Sequence, residues 1–505
     1  MRVVKKRLGA IDTLLVPLDR ASGTLLQRQV EDALRSAIAS GALRPGTRLP
    51  STRALAAELG VSRTTAVAAT QELVAEGYLV ARARSGTFVA RRPPLPDVAP
   101  RTRAPKGGAL GLSRRAALLA DEAGRSPAKP RPRPFALSRP ALDAFPVREW
   151  SRILSRRAAR VSISQLDYGT ESPELRGAVA DLVSSSRGSR VHEDQVLIFG
   201  GSQRALEFAC AAVLDPGDRA WIEEPAYHGA RSVLLAAGAS LVHVPVDGEG
   251  IDVAAGEAMA AGARLAYVTP SSQFPLGVTM SVERRRALLR WADAAGACVV
   301  EDDYDCEFRH GGAPVPALHA LDASGRVLYV NSFSRTMFPD IRLGYLVAPA
   351  ALVDALRRVR AGMDEALPMM AQLALADFIA EGHFVRHLRR MRVLYGRRRE
   401  ALITAARSLG VGHVRAYRAS AGLHVVVDLP DAIDAVEVSR AAAARGVEVV
   451  ALEHFSARPA ACPPALVLGF GAVGVDRARA GMEKLALAID DVRRRAKGSR
   501  PRAPR

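Results

Sequence analysis

Polar residues at two places in the second half of the chain have the types and spacing to hold an anionic ligand. Residues 201–203, Gly-Ser-Gln, follow an apolar run and open a helical stretch, and the free N–H groups of a helix N-terminus favour anions. Ser332, Ser334 and Arg342 add hydroxyls and a cation that can donate two hydrogen bonds to the same kind of anion. Both groups indicate a phosphate site, although a Gly-Ser-Gln turn is also an ordinary helix cap.

An acidic run, Glu-Asp-Asp-Tyr-Asp at residues 301–305, directly follows another apolar stretch. A buried carboxylate needs a cationic or hydrogen-donating partner, and the protonated nitrogen of a heterocyclic ligand would serve. The alternative for such a run is a loop or a metal-like cluster of acids.

The elements that must position these groups follow an α/β pattern. Apolar runs at 196–199, 265–268, 297–300 and 327–330 predict strands, and helical stretches such as 282–295 separate many of them. This alternation predicts a mostly parallel sheet. Since open α/β sheets bind ligands at the carboxyl ends of their strands, the polar groups are expected to meet at one edge.

The N-terminal part has a different pattern. Residues 24–40 carry apolar side chains at a helical period, Ser51 and Ser62 can cap two further helices, and β-prone runs at 78–82 and 87–90 follow. Helix, helix, short turn, helix and hairpin form the pattern of a winged helix-turn-helix. The third helix begins with hydroxyl and guanidinium groups, which suit base edges and phosphates.

The net charge of +19 is unevenly distributed over the 505 residues. Residues 135–491 hold 40 basic and 42 acidic groups, whereas 91–134 carry a net +8 and 492–505 a net +7. This asymmetry points to a polyanion such as nucleic acid. A solvated basic surface is the alternative, above all at the C-terminal end.

Composition also marks the connecting segments. The nine prolines of 91–134 predict an extended linker, with a short helix at 113–123, and 492–505 are predicted to be a disordered basic tail. Residues 1–19 lack the apolar core of a signal peptide, and no stretch approaches the roughly 20 apolar residues of a membrane span. The four isolated cysteines fit reduced thiols in the cytoplasm and give no metal signature.

Residues 44–89, RPGTRLPSTRALAAELGVSRTTAVAATQELVAEGYLVARARSGTFV, resemble the DNA-binding domain of GntR-type bacterial regulators. The resemblance covers about 20–90 and implies contacts to double-stranded DNA, with Val67 replacing an arginine that some relatives use. Together with the helix caps and the wing, the predicted DNA-binding residues are Ser51, Thr52, Arg53, Ser62, Arg63, Thr64, Thr65, Arg82, Arg84, Ser85, Gly86 and Thr87.

The body, with GGSQRALEFACAAVLDPGDRAWIEEPAYHGARS, YVTPSSQFPLGVTMS, VVEDDYDCEF and VNSFSRTMFPDIRLGYLV, resembles the fold-type I aminotransferases, which use pyridoxal phosphate. With the N-terminal module, the whole chain resembles MocR-type regulators. The resemblance implies an α/β transferase-like fold with a small C-terminal α+β subdomain, Asp302 at the pyridine nitrogen, Tyr304 at the ring phenolate oxygen, and a homodimer. The predicted cofactor-binding residues are Gly201, Ser202, Gln203, Tyr227, Gln273, Asp302, Tyr304, Ser332, Ser334, Arg335 and Arg342.

Arg335 departs from that family, which has at this position the lysine that forms a Schiff base with the cofactor. A guanidinium cannot replace the amine, and only one of the chain's six lysines, Lys484, lies in 135–491. Two further differences are Ser272, where relatives often carry histidine, and the run 466–470, which lacks the arginine that many aminotransferases use for a substrate carboxylate. No catalytic residue is therefore predicted, and pyridoxal or pyridoxamine phosphate would bind without a covalent bond.

The sequence thus predicts a cytoplasmic, DNA-binding transcriptional regulator rather than an enzyme, with an unknown small-molecule effector and no membrane partner. The predicted parts are an N-terminal extension (1–19), a winged helix-turn-helix (20–90), a linker (91–134), an aminotransferase-like sensor and dimerisation body (135–491) and a tail (492–505). The alternatives are an aminotransferase with a fused DNA-binding module, and a DNA-binding protein whose body is only a dimer scaffold.

Overall fold

The chain divides into two compact units, 1–111 and 112–505, and each is considered by itself. The computed structural model describes residues 18–20, 22–93, 111–125, 133–165, 167, 171–311, 315–363, 367–415 and 421–498. Most of the predicted N-terminal extension lies outside these ranges.

The N-terminal unit is a winged helix-turn-helix, as predicted. Its elements are α1 (Leu26–Ala39), α2 (Thr52–Leu59), α3 (Arg63–Ala75), β1 (Leu79–Arg82) and β2 (Gly86–Val89), the last two forming an antiparallel hairpin. Ser51 Oγ accepts from the Ala54 N–H at 3.2 Å and Ser62 Oγ from the Thr65 N–H at 3.0 Å, so both serines cap the helices they precede.

Apolar side chains at a helical period close the core of this unit. Val30 and Leu34 of α1 and Leu73 of α3 are buried together. Arg35 also ties α1 to the end of α3, since its Nε and Nη2 donate to Glu76 at 2.9 and 2.7 Å. One hydrophobic core therefore fixes the position of α3 relative to the hairpin.

A large sheet forms the centre of the second unit. Its spatial order is β3-β10-β9-β8-β7-β4-β5-β6, and the strands β9, β8, β7, β4 and β5 run parallel. The mostly parallel sheet confirms the predicted α/β class. The strands are β3 (Val196–Phe199), β4 (Arg219–Glu224), β5 (Ser240–Asp247), β6 (Gly250–Ile251), β7 (Leu265–Val268), β8 (Cys298–Asp302), β9 (Val327–Ser332) and β10 (Gly344–Val347).

Helices surround this sheet, and a second, antiparallel sheet of order β11-β12-β14-β13 lies in the C-terminal part. The strands of the small sheet are β11 (His413–Val414), β12 (His424–Asp428), β13 (Val450–Ala451) and β14 (Ala465–Gly469). The helices are α4 (Arg114–Arg125), α5 (Val147–Ala158), α6 (Pro173–Arg187), α7 (Ser202–Val213), α8 (His228–Ala236), α9 (Val253–Ala260), α10 (Val282–Ala295), α11 (Leu318–Leu321), α12 (Val353–Gly362), α13 (Met369–Ala380), α14 (His383–Ser408), α15 (Ala435–Ala444) and α16 (Val475–Gly498).

Two segment predictions need correction. The predicted tail at 492–505 is helical at its start, because α16 continues to Gly498, with Val492 buried and Arg494 paired with Asp491 at 2.6 Å. The short helix predicted at 113–123 is present as α4, but the bounds of the linker need correction, because α4 belongs to the second unit and contacts α8. No helix in the described ranges has both the length and the apolar character to cross a bilayer.

Candidate functional site

A cavity of about 290 Å³ lies where β3, β7, β8 and β9 end. Ten of the eleven predicted cofactor-binding residues line it. These ten residues are spread over about 140 positions of the sequence, from Gly201 to Arg342. The lining residues are Ser138, Gly200, Gly201, Ser202, Gln203, Tyr227, Tyr267, Thr269, Phe274, Asp302, Tyr304, Asp305, Ser332, Ser334, Arg335, Pro339 and Arg342.

One end of the cavity has the character of an anion site. The N-terminus of α7 opens into it, and Gly344 lets β10 approach this turn, since a Cβ at 344 would lie 2.7 Å from the Ser202 nitrogen. Arg342 is exposed there and makes no ion pair with any described residue. Free helix N–H groups and an uncommitted guanidinium are the partners that a phosphate needs.

Asp302 supplies the opposite charge. Its carboxyl is 5% exposed, and Oδ2 accepts from the Tyr267 hydroxyl at 2.8 Å, whereas Oδ1 has no hydrogen-bond partner among the described residues. Burial raises the pKa of Asp302 to about 6, although Tyr267 and Arg335 oppose the shift. A buried carboxylate oxygen without a partner suits a protonated ring nitrogen of a bound ligand.

The other acids of the run have their own partners. Glu301 accepts from the backbone N–H groups of two α11 residues, and Asp303 pairs with Arg187 at 2.7 Å and accepts from the Tyr329 hydroxyl at 2.8 Å. The acids of the run thus have separate partners, and no group of three metal-ligating side chains occurs within the described ranges.

Arg335 is held inside the cavity by three contacts. Nη1 donates to Asp305 Oδ2 at 3.0 Å, Nη2 donates to Ser138 Oγ at 2.9 Å, and the guanidinium lies 4.9 Å from the centre of the Tyr304 ring. Asp305 and Ser138 both adopt left-handed backbone conformations, with φ of 58° and 60°. Residues other than glycine rarely adopt this conformation, and here both residues that adopt it accept hydrogen bonds from the Arg335 guanidinium.

Tyr304 lines the cavity, but its hydroxyl is already engaged. It donates to the carbonyl oxygen of Ser272 at 2.6 Å. The family resemblance implies a hydrogen bond from this hydroxyl to a ring phenolate oxygen. The hydroxyl can donate to such an oxygen only if its bond to Ser272 is shared or broken.

Gln273 is the one predicted cofactor-binding residue that does not line the cavity. Its Nε2 donates to the carbonyl oxygens of Pro225 and Phe274, both at 2.8 Å, and to Glu223 at 3.2 Å. Burial raises the pKa of Glu223 to about 7, and Thr269 also donates to this carboxyl at 2.6 Å. Gln273 therefore supports the loop behind the cavity, which corrects its assignment.

Several lining residues were absent from the predicted set. Asp305 lies within the acidic run, and Tyr267 and Thr269 lie on or beside a predicted strand, so the sequence pattern carries a signal for all three. Ser138 had no such signal, because it reaches the cavity only through close packing of residues 136–139 on the end of β14. A Cβ on Gly469 or Gly471 would lie 2.3 Å from a carbonyl oxygen of this segment, at Ala136 or Arg139 respectively.

The donor set fits a phosphorylated pyridine. The anion site and Asp302 match the phosphate and the ring nitrogen, and no lysine is among the described residues that line the cavity. Lys484, the only lysine of the predicted body, is exposed on α16.

The predicted DNA-binding residues form an exposed surface of the N-terminal unit. Arg53, Arg63 and Thr64 are exposed, as are Arg82, Arg84, Ser85 and Gly86 of the hairpin. The Ser62 and Thr65 hydroxyls lie 2.7 Å apart and hydrogen-bond to each other, which leaves Arg63 and Thr64 as the freer groups at the start of α3. Arg48, which was not predicted, forms a β-bridge with Phe88 and lies beside Gly86 in the wing.

Comparisons with known proteins agree with both units. Residues 26–89 match the gntR family of bacterial regulatory proteins, and residues 143–466 match aminotransferase class I and II. The chain is 38% identical over 94% of its length to the probable rhizopine catabolism regulatory protein MocR of Rhizobium meliloti, covering 96% of that protein. It is 36% identical over 84% of its length to the HTH-type transcriptional regulator TauR of Rhodobacter capsulatus, covering 88% of that protein.

A solved structure shows the same body. The kynurenine aminotransferase of Pyrococcus horikoshii, in complex with PMP, superposes with a TM-score of 0.66 at 26% identity and covers 76% of this chain and 95% of its own. The aminotransferase class I and II fold is one that binds cofactors of the pyridoxal phosphate type. With a gntR domain ahead of that fold and near full-length similarity to MocR, the chain belongs to the MocR-type transcriptional regulators of the GntR family.

Proposed function

We propose that the body of this regulator senses a phosphorylated pyridine, pyridoxal or pyridoxamine phosphate, which it binds without a covalent bond and does not turn over. The observation that carries the proposal is the pairing, in one cavity, of an unpartnered Asp302 Oδ1 with an arginine at the position of the Schiff-base lysine. The Asp302 oxygen favours a ring nitrogen, whereas the arginine at position 335 lacks the amine that a covalent bond requires.

The chemistry of Arg335 supports the absence of catalysis. Covalent capture of an aldehyde needs a neutral primary amine, whereas a guanidinium stays protonated at neutral pH and here is paired with Asp305. Bound pyridoxal phosphate supplies an aldehyde and an electron-withdrawing ring. The chain's own residues would bind the phosphate through α7 and Arg342 and orient the ring through Asp302, and the described lining residues include no lysine that could move a proton.

Both forms of the ligand find a partner next to Arg335. The guanidinium only donates hydrogen bonds, so it suits the aldehyde oxygen of pyridoxal phosphate. Asp305 Oδ1 is buried without a hydrogen-bond partner among the described residues, so it can accept from the ammonium of pyridoxamine phosphate. Asp305→Asn should therefore weaken pyridoxamine phosphate more than pyridoxal phosphate.

The regulatory part of the proposal is a population shift. A cytoplasmic homodimer would present two winged helix-turn-helix units to a double-stranded operator, and ligand binding would favour one arrangement of these units. The exposed residues at the start of α3 and in the wing support the DNA contact.

Calorimetry of the full-length protein with pyridoxal and pyridoxamine phosphate tests the proposal, combined with borohydride reduction, mass measurement and an assay with a mixture of amino acids. We expect reversible binding, no added mass after reduction and no amino-group transfer. Turnover would favour the enzyme with a fused DNA-binding module. Absence of binding by both compounds would favour the dimer scaffold.

A further inference from the structure

Helix α4, from the segment predicted to be a linker, is fixed to α8 by a buried acid. Glu122 is 5% exposed, and its Oε1 lies 3.3 Å from both His228 Nδ1 and Arg231 Nη1. Arg231 is 3% exposed and also donates Nη2 to the carbonyl oxygen of Phe455 at 3.0 Å. At the other end of α8, Arg115 Nη1 donates to the Ala236 carbonyl oxygen at 3.1 Å.

Few side chains of α4 are buried against the rest of the second unit. Along α4, Ala116 and Leu119 are half-buried and Glu122 is buried, whereas Leu118 on another face is 56% exposed. Ala116, Leu119 and Glu122 follow one another at helical spacing, so a carboxylate takes a buried place at the end of this partly apolar face. Because a buried carboxylate is favourable only while its cation stays beside it, this attachment depends on the position of α8.

Helix α8 leads directly into the ligand cavity. Tyr227, the residue that precedes α8, lines the cavity, and its hydroxyl lies 3.3 Å from Gln203 Oε1 at the start of α7. The ring of His228 lies 5.0 Å from that of Phe455, which in turn lies 5.1 Å from the cavity residue Phe274. The groups that hold Glu122 therefore belong to the same packed cluster as one wall of the cavity.

We propose that α4 is a ligand-sensitive clasp: occupancy of the cavity orders Tyr227 and α8, which stabilises the attachment of α4 through Glu122 and so shortens the tether to the DNA-binding unit. This inference rests on the proposed function. In the sequence, residues 90–113 separate the end of β2 from α4, and release of α4 would add the chain up to about residue 134 to this separation. A longer tether lowers the effective concentration of two linked DNA-binding units at one operator.

The test compares the full-length protein with Glu122→Ala, the isosteric Glu122→Gln, and, as a control, Asp121→Ala at an exposed acid of the same helix. Amide hydrogen exchange of 114–125 reports attachment, calorimetry reports the affinity for pyridoxal or pyridoxamine phosphate, whichever the wild type binds, and DNA titration reports the effect of that ligand. In the wild type, the ligand should slow exchange in α4. Glu122→Ala should lose this protection and bind the ligand about 5-fold or more weakly, because the coupling is reciprocal.

Glu122→Gln should have a ligand affinity and a protection of α4 between those of the wild type and Glu122→Ala. It keeps the test informative if the alanine variant is unstable. Asp121→Ala should retain most of the coupling between ligand binding and the protection of α4. The proposal is overturned if a Glu122 variant exposes α4 while ligand affinity and the DNA response stay unchanged, or if exchange in α4 is insensitive to Glu122. If the wild-type protein binds neither compound, the proposed function is wrong and the clasp proposal falls with it. This result is obtained before any variant is made.

Discussion

Arg335 and Asp305 form an ion pair within the ligand cavity, with Nη1 3.0 Å from Oδ2. Burial raises the pKa of Asp305, and Arg335 opposes that shift, so each group makes the charge of the other tolerable. Arg335 also donates to Ser138, so its guanidinium is fixed by specific contacts within the cavity.

Arg335→Lys should convert the cavity into one that binds pyridoxal phosphate covalently. The substitution restores a primary amine at the position where the family has its lysine, while the other lining residues stay in place. The yellow absorption of the bound cofactor, and an added mass after borohydride reduction, would report the bond.

Arg335→Gln is the matched control, since it removes the guanidinium without adding an amine and should give no added mass. If the lysine variant binds pyridoxal phosphate but remains free of the added mass, the amine does not reach the aldehyde, and the assignment of position 335 is wrong.

Asp302→Asn should abolish most ligand affinity and yet stabilise the ligand-free protein above pH 6. The folded carboxyl has a pKa of about 6 against an ordinary 3.8, so keeping it ionised costs about 3 kcal/mol of unfolding free energy. Because the folded state binds the proton more tightly than the unfolded state, this cost is present above pH 6 and is lost as the pH falls from about 6 to 4. Denaturant unfolding at pH 8 and pH 4 measures the difference.

The increase in unfolding free energy caused by Asp302→Asn should therefore be close to its full value at pH 8 and absent at pH 4. The exposed Asp431, changed to Asn in the same way, should give little change at either pH. An equal effect of Asp302→Asn at both pH values would contradict the assignment of the raised pKa.

Arg63→Ala should weaken binding to an operator fragment by roughly 1–3 kcal/mol if the guanidinium reads a base edge. Arg63 is exposed at the start of α3, whereas the neighbouring Ser62 and Thr65 hydroxyls are engaged with each other. Affinity measured at fixed salt for operator and unrelated DNA separates base reading from phosphate binding.

Arg28→Ala, on the exposed face of α1, is the matched control and should leave operator affinity within a few tenths of a kcal/mol. Unchanged operator affinity of the Arg63 variant would remove this residue from the contact set.

Removal of residues 499–505 should flatten the salt dependence of DNA binding without changing sequence preference. The segment carries three arginines, and each DNA phosphate that the shortened chain no longer neutralises reduces the slope of log affinity against log salt by about 0.9. The cut should follow Gly498 rather than precede Val492, because α16 continues to 498 and Val492 is buried. An unchanged slope would mean that the segment does not bind DNA.

The sequence was most informative where chemistry follows a regular element. Asp302 ends β8 and Ser332 ends β9, so the apolar pattern that predicted the strands also placed these side chains at one edge of the sheet. In the same way, Ser51 and Ser62 were recognisable as caps because each precedes a helical period.

Contacts between distant segments were beyond the reach of such patterns. Ser138 meets Arg335 only because the chain passes close to β14, and Gln273 turns away from the cavity because Glu223 lies buried behind it. The helical start of the predicted tail depends on the burial of Val492 and on ion pairs such as Arg494 with Asp491, which outweigh the high charge that suggested disorder.

The close packing of residues 136–139 on Gly469 and Gly471 bears on how this body could change over evolutionary time. Restoring a lysine at 335 takes one substitution. A new side chain at Gly469 or Gly471, by contrast, would collide with a backbone carbonyl oxygen, at 2.3 Å in both cases. An arginine at Gly469, within the run 466–470, would first require the 136–139 backbone to move. A primary amine at position 335 is therefore one substitution away, whereas an arginine at Gly469 needs a coordinated change in a second segment of the chain.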